Sequence, residues 1–172
     1  MVFVCRAGAP PEWEWLLIGG IMANTSYYVP ALGGLYERLK PVALLILRVG
    51  MGGILIPHGA QKFFGWFGGL GFEKFSALFN QLGYRPGVFW LTLVALTEFV
   101  GGILLVLGLF TRFAALALVI FMIVAVHFTS GKGFFWTQGG LEYSLLILFV
   151  GLVFLIHGGG EYSLDRKLGR EL

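Results

Sequence analysis

A few side chains sit where hydrocarbon is expected: Arg48, His58, Gln61 and Lys62 in one apolar run, Glu98 in a second, His127 in a third and Glu142 in a fourth. Charged and titratable groups are costly inside a bilayer, so each is a candidate for ligand binding or proton transfer, to be weighed against a role in locking helices together. His58 and Gln61 are three positions apart and Lys62 is four from His58, so on a helix all three project from one side. The set offers hydrogen-bond donors at His58, Gln61 and Lys62, with Glu98 and Glu142 as proton carriers.

Depth decides which of these groups can meet. At about 1.5 Å of rise per residue, Glu98 lies about 16 Å from the outer end of its run, His58 about 9 Å, His127 about 5 Å and Glu142 about 3 Å. All four fall in the outer half of the membrane. Arg48 lies about 5 Å beyond Glu98, a gap that an arginine can close, so an Arg48–Glu98 ion pair fixing helix register is expected. His127 could equally contact headgroups or cap a helix C-terminus, and Glu142 could simply open its helix, where the dipole stabilises a carboxylate. Pro57 removes a backbone donor just before His58 and should loosen the helix there. Glycines at 50, 52, 53 and 59, with Gly101 and Gly102, allow a second helix or a flat ligand to approach closely.

The elements that must position these groups are membrane helices. Of the 172 residues 58% are apolar and only 12% charged, about half the charged fraction of ordinary soluble domains. Four apolar stretches run from Pro41 to about Phe64, about Val88 to Phe110, Phe113 to Phe128, and Leu141 to His157. Each approaches the roughly 20 residues that a helix needs to cross the bilayer, and none alternates as a membrane barrel strand would. The expected fold is therefore all-α, a bundle of four antiparallel transmembrane helices. Between the first two spans, "GFEKFSALFNQLGYRPG" places Phe72, Phe75, Leu78, Phe79 and Leu82 on one helical face, as in a short helix lying along the interface. Gly108 is the expected C-cap of the second span and Thr111 the N-cap of the third.

Residues 1–40 read as an N-terminal tail, 41–165 as the membrane domain and 166–172 as a basic cytoplasmic tail. Met22 opens a plausible start of its own, so the first twenty-one residues are expected to be a mobile tail or no part of the native protein. Arg6, Arg38, Lys40, Arg112, Arg166, Lys167 and Arg170 fall on the side of both termini, against Lys62, Lys74, Arg85 and Lys132 on the other. This bias places both termini in the cytoplasm of a multi-pass inner-membrane protein. The scattered basic residues form no stripe for nucleic acid. The single cysteine, Cys5, rules out a C-x-x-C pair or a thiolate cluster within the chain.

"PHGAQKFFG", "EFVGGILLVLGLFTRFAA", "GGLEYSLL" and "GEYSLD" together resemble the DoxX family of small bacterial membrane proteins, over residues 41 to 165. The resemblance implies a four-helix bundle and a place in quinone-linked or oxidative-stress redox complexes. Similar four-helix thiol oxidoreductases that use quinone need a cysteine pair, which this chain lacks. The favoured expectation is a membrane subunit of a quinone-linked oxidoreductase. In it His58 and Gln61 would donate to a quinone carbonyl, Lys62 and His127 would line the mouth, and Glu98 or Glu142 would relay protons. Phe63, Phe64 and Trp66 would wall the pocket. No flavin, haem or metal motif accompanies them, so a partner subunit would deliver the electrons. His58, His127 and Glu142 suit a metal by type but not by spacing. The alternatives are a small transporter or lipid-handling protein, and a scaffold whose polar groups only lock the bundle, alone or as a homo-oligomer.

Overall fold

The computed structural model describes residues 28–169, and their regular structure is entirely helical. The chain divides into two compact units, Met1–Arg38 and Leu39–Leu172. Of the first unit, residues 28–38 are described; the expected start at Met22 and the twenty-one residues before it lie outside the described part.

Helix α1 spans Pro30–Phe63, so it begins within the segment expected to be a tail. The stretch "PALGGLYERLK" explains this: proline suits a first helical turn, and Leu, Glu, Arg and Lys are good helix formers. With 34 residues, α1 is about 50 Å long, well beyond the roughly 30 Å of hydrocarbon that a span must cross. It continues as α-helix through both Pro41 and Pro57, so the loosening expected at Pro57 does not interrupt it. Pro57 still deprives the Gly53 carbonyl of its helical donor, which other groups can offset within a membrane protein.

A short 3-10 turn at Trp66–Gly68 leads to α2 (Gly71–Gln81), α3 (Gly87–Leu107) and α4 (Thr111–Ser130). A second such turn at Trp136–Gln138 precedes α5 (Glu142–His157) and the short α6 (Leu164–Leu168). Among the described residues three helices are long and apolar enough to cross a membrane: Ala31–Phe63, Gly87–Leu107 and Thr111–Ser130. The stretch expected as the fourth span forms a helix of 16 residues, about 24 Å long. One core joins four helices, with Leu55 from α1, Leu105 from α3, Leu118 from α4 and Phe154 from α5 all buried.

Two glycines of α1 allow it to lie against α3. A Cβ on Gly52 would run into the Gly102 carbonyl and Val106, and one on Gly59 would fall 2.5 Å from the Phe99 nitrogen. Gly50 and Gly53 face open space, so only part of the glycine-rich stretch serves close approach. Helix α2 packs on the start of α3 through Gly87, whose N–H donates to Asn80 Oδ1 at 2.7 Å. Phe72, Phe75 and Phe79 are half-buried, whereas Leu78 and Leu82 are exposed, so the expected apolar face divides between protein contact and the surroundings.

The α3–α4 connection departs from expectation in its capping. Gly108 ends α3 in the left-handed region, with φ 66° and ψ 42°, as expected of a C-cap. Thr111 is not the N-cap of α4 but its first helical residue; the capping position is Phe110, with φ 48° and no side-chain acceptor. The acceptor comes from far along the chain. Asp165 in α6 accepts from the backbone N–H of Phe110 at 2.7 Å and of Thr111 at 2.9 Å, while its own N–H donates to the Gly108 carbonyl at 2.9 Å. A carboxylate there satisfies orphan donors and complements the dipole of α4.

Candidate functional site

The site is built on the last turns of α1. Lys62 and His58 lie one turn apart there, and Lys62 Nζ reaches across to Glu98 Oε2 on α3 at 2.5 Å, with the two side chains 15% and 7% exposed. The glycine contact at Gly59 makes this reach possible, because it brings α1 against Phe99, the neighbour of Glu98. Lys62 Nζ also lies 3.4 Å from the His58 carbonyl and 5.9 Å from the centre of the Phe75 ring. An ammonium so placed satisfies its donors with a carboxylate, a carbonyl and a π face.

The expected Arg48–Glu98 pair does not form. Arg48 is 1% exposed and points the other way, donating from Nη2 to the Tyr162 carbonyl at 2.9 Å. There it lies within electrostatic reach of Asp165, beside Gly108, where a Cβ would collide with the guanidinium. Lys62 takes the place expected for Arg48 because it meets Glu98 directly across the α1–α3 contact. Arg48 is thus a counter-charge for the carboxylate that caps α4.

Tyr143, the second residue of α5, completes the cluster. Its ring centroid lies 6.4 Å from that of His58, and the phenol feels the charge of Glu98. A cleft of about 310 Å³, lined by Trp136, Glu142, Tyr143 and Leu146, opens beside it. Rings close the end of α1: Phe63 stacks on Phe72 at 6.1 Å, and Phe64 packs on Trp66 at 4.9 Å and on Phe99 at 5.5 Å. The aromatics expected as pocket walls, Phe63, Phe64 and Trp66, therefore form one ring cluster at the end of α1, with Phe64 and Trp66 exposed.

Other expected members are engaged elsewhere. Gln61 donates from Nε2 to the Phe67 carbonyl at 3.4 Å and supports Gly69, so it braces the turn after α1 instead of pointing at a ligand. Glu142 accepts from the Trp136 N–H at 3.1 Å and closes the loop before α5, though it also lines the cleft. His127 is exposed in the last turn of α4, where its carbonyl accepts from Ser130 Oγ at 2.8 Å. Among the described residues no three His, Cys, Asp or Glu side chains converge as a metal site would need, so His58, His127 and Glu142 do not meet. Tyr143 follows Glu142 within "GGLEYSLL", and this adjacency to a costly carboxylate is the sequence signal that points to it.

The geometry thus brings a buried ammonium–carboxylate pair close to an exposed imidazole and a partly exposed phenol, with a cluster of aromatic rings at the end of α1. Such a group can donate hydrogen bonds to a carbonyl and pass protons.

Two uncharacterized relatives are similar to this chain over most of its length. An uncharacterized membrane protein of Mycobacterium tuberculosis is 31% identical over 160 residues, covering 87% of this chain and 95% of the relative. An uncharacterized protein of Haemophilus influenzae is 35% identical over 135 residues, covering 76% of this chain and 94% of the relative. No solved structure shows a significant match. The DoxX family model matches residues 43–131, which include Arg48, His58, Lys62 and Glu98, and the chain belongs to the DoxX family of membrane proteins.

Proposed function

We propose that the protein is the membrane subunit of a quinone-linked oxidoreductase and binds a quinone headgroup beside His58, Lys62, Glu98 and Tyr143. The observation that carries this reading is the Lys62–Glu98 contact of 2.5 Å, nearly closed off by protein, with an imidazole and a phenol at its edge. Reducing a quinone takes two electrons and two protons. His58 and Tyr143 supply donors for one carbonyl, and the Lys62–Glu98 pair stores an exchangeable proton near the other. The cleft of about 310 Å³ next to Tyr143 is at the lower end of the range for small-molecule sites, and its wall is mostly hydrocarbon, as a substituted ring requires.

Cys5 is the only thiol, so the chain has no dithiol of its own and electrons arrive through a partner subunit. Alone, the protein binds quinone without turning it over. In this reading α5 is the fourth span, extended by its flanking residues, and both termini lie in the cytoplasm of the inner membrane.

The test is quinone content. Protein purified from native membranes is extracted and its quinone quantified, with His58→Ala and Glu98→Gln compared with the parent. Retention in the parent and loss in His58→Ala, with unchanged helicity and melting, is the expected result. An absence of quinone from the parent, or undiminished retention in His58→Ala, would refute the proposal.

A further inference from the structure

We propose that a groove on the side of α3 facing away from α1 holds one acyl chain of an anionic phospholipid, with its phosphate resting on Lys132 and Arg85. The groove encloses about 600 Å³ and is formed by Phe79 of α2, Tyr84 of the following loop, Trp90 and Thr97 of α3, and Ala117 and Phe128 of α4. Its two threonines present no free hydroxyl. Thr97 Oγ1 donates to the Leu93 carbonyl and Thr129 Oγ1 to the Ala125 carbonyl, each at 2.8 Å. Whatever lies deep in the groove is therefore offered no hydroxyl donor and is met almost entirely by hydrocarbon.

The mouth has a different character. Tyr84 and Trp90 meet edge to face at 6.2 Å, and such amphipathic rings suit the boundary between acyl chains and headgroups. Two cations adjoin groove residues in the chain at this end, Arg85 after Tyr84 and Lys132 three positions beyond Thr129. Lys132 Nζ lies 5.3 Å over the ring of Phe128, a groove residue, and Arg85 directly follows Tyr84, its Nε donating to the Asn80 carbonyl at 3.5 Å. Among the described residues no acidic side chain lines the groove. An apolar slot ending in two exposed cations complements a lipid phosphate with its chain below. The wall contributed by α2 is fixed by the Asn80–Gly87 hydrogen bond and by Gly87, where any Cβ would strike the Ser76 carbonyl. A helix 10–12 Å across would fit only about one turn into this volume, which favours a single chain of methylenes over a second copy of the protein.

The experiment is spin-label resonance on protein reconstituted in phosphatidylcholine vesicles, using phosphatidylglycerol or phosphatidylcholine labelled on the acyl chain. The parent should immobilise phosphatidylglycerol preferentially. Arg85→Gln and Lys132→Gln, both at exposed positions, should each lower that preference by about fivefold. Ala125→Phe should fill the groove and reduce the immobilised fraction of both lipids, with melting temperature checking the fold. Equal binding of both lipids by the parent, or an unchanged preference in the two charge variants, would overturn the headgroup assignment. An Ala125→Phe variant that keeps the immobilised fraction would overturn the chain site, and one that instead splits a dimer would assign the groove to a second copy.

Discussion

A lysine and a glutamate each lose several kcal/mol of hydration when taken singly into a low-dielectric interior, so Lys62 and Glu98 depend on each other. Their 2.5 Å contact predicts strong coupling: in a double-mutant cycle, Lys62→Met and Glu98→Gln together should cost less than the sum of the single changes, by more than about 1 kcal/mol. The same cycle built from Arg48→Met and Glu98→Gln should be additive within about 0.5 kcal/mol, because Arg48 serves Tyr162 and Asp165 at the other end of the packing. Detergent-based melting of the two variant sets measures both. Coupling in the second set and none in the first would reverse the assignment. At this scale the sequence identified which residues were costly, since a charge in an apolar run is visible by eye. It did not identify their partners, because a reach of a few ångströms separates Arg48 from Lys62 as the mate of Glu98.

Helix pairing rests on two small residues. Gly59 and Gly52 are pressed onto Phe99 and Gly102, whereas Gly50 and Gly53 meet nothing within 4 Å. Gly59→Val should therefore force α1 away from α3, break the Lys62–Glu98 contact and lower the melting temperature strongly. Gly53→Ala should be neutral or slightly stabilising, since alanine is the better helix former by about 1 kcal/mol. Thermal unfolding of the two variants checks this, and equal sensitivity would show that the crossing is not set by these contacts. The spacing of glycines was legible in the sequence, but the face that each one occupies depends on how α1 is rotated toward α3. The same holds for the α3–α4 turn. Gly108 was readable as a cap, whereas the acceptor for α4 is Asp165, brought from α6 by tertiary folding.

At the scale of the whole molecule, three long apolar helices and a shorter fourth among the described residues share one core. If α5 crosses the bilayer, an even number of spans returns the chain to its starting side. In the proposed orientation a fluorescent protein fused after residue 172 should then fluoresce in the cytoplasm, and alkaline phosphatase inserted near Lys132 should be active on the other side of the membrane. An active phosphatase near Lys132 together with a dark fluorescent protein after residue 172 would mean that α5 does not cross. The basic bias that motivates this orientation is a property of composition and needs no structure.

Composition, apolar periodicity and punctuating glycines by themselves determined that this chain is a helical membrane protein, where its apolar runs lie and which polar residues are too expensive to be incidental. These are local properties, set by the transfer energy of each side chain and by the hydrogen-bonding needs of its backbone. Only the tertiary structure decided that Lys62 rather than Arg48 meets Glu98, that Tyr143 joins His58 while His127 stays apart, and that Asp165 caps a helix more than fifty residues away. Such pairings depend on helix rotation and crossing, which are settled by the packing of small residues such as Gly52, Gly59 and Gly102 against a neighbouring helix and leave no periodic trace along a single strand of sequence.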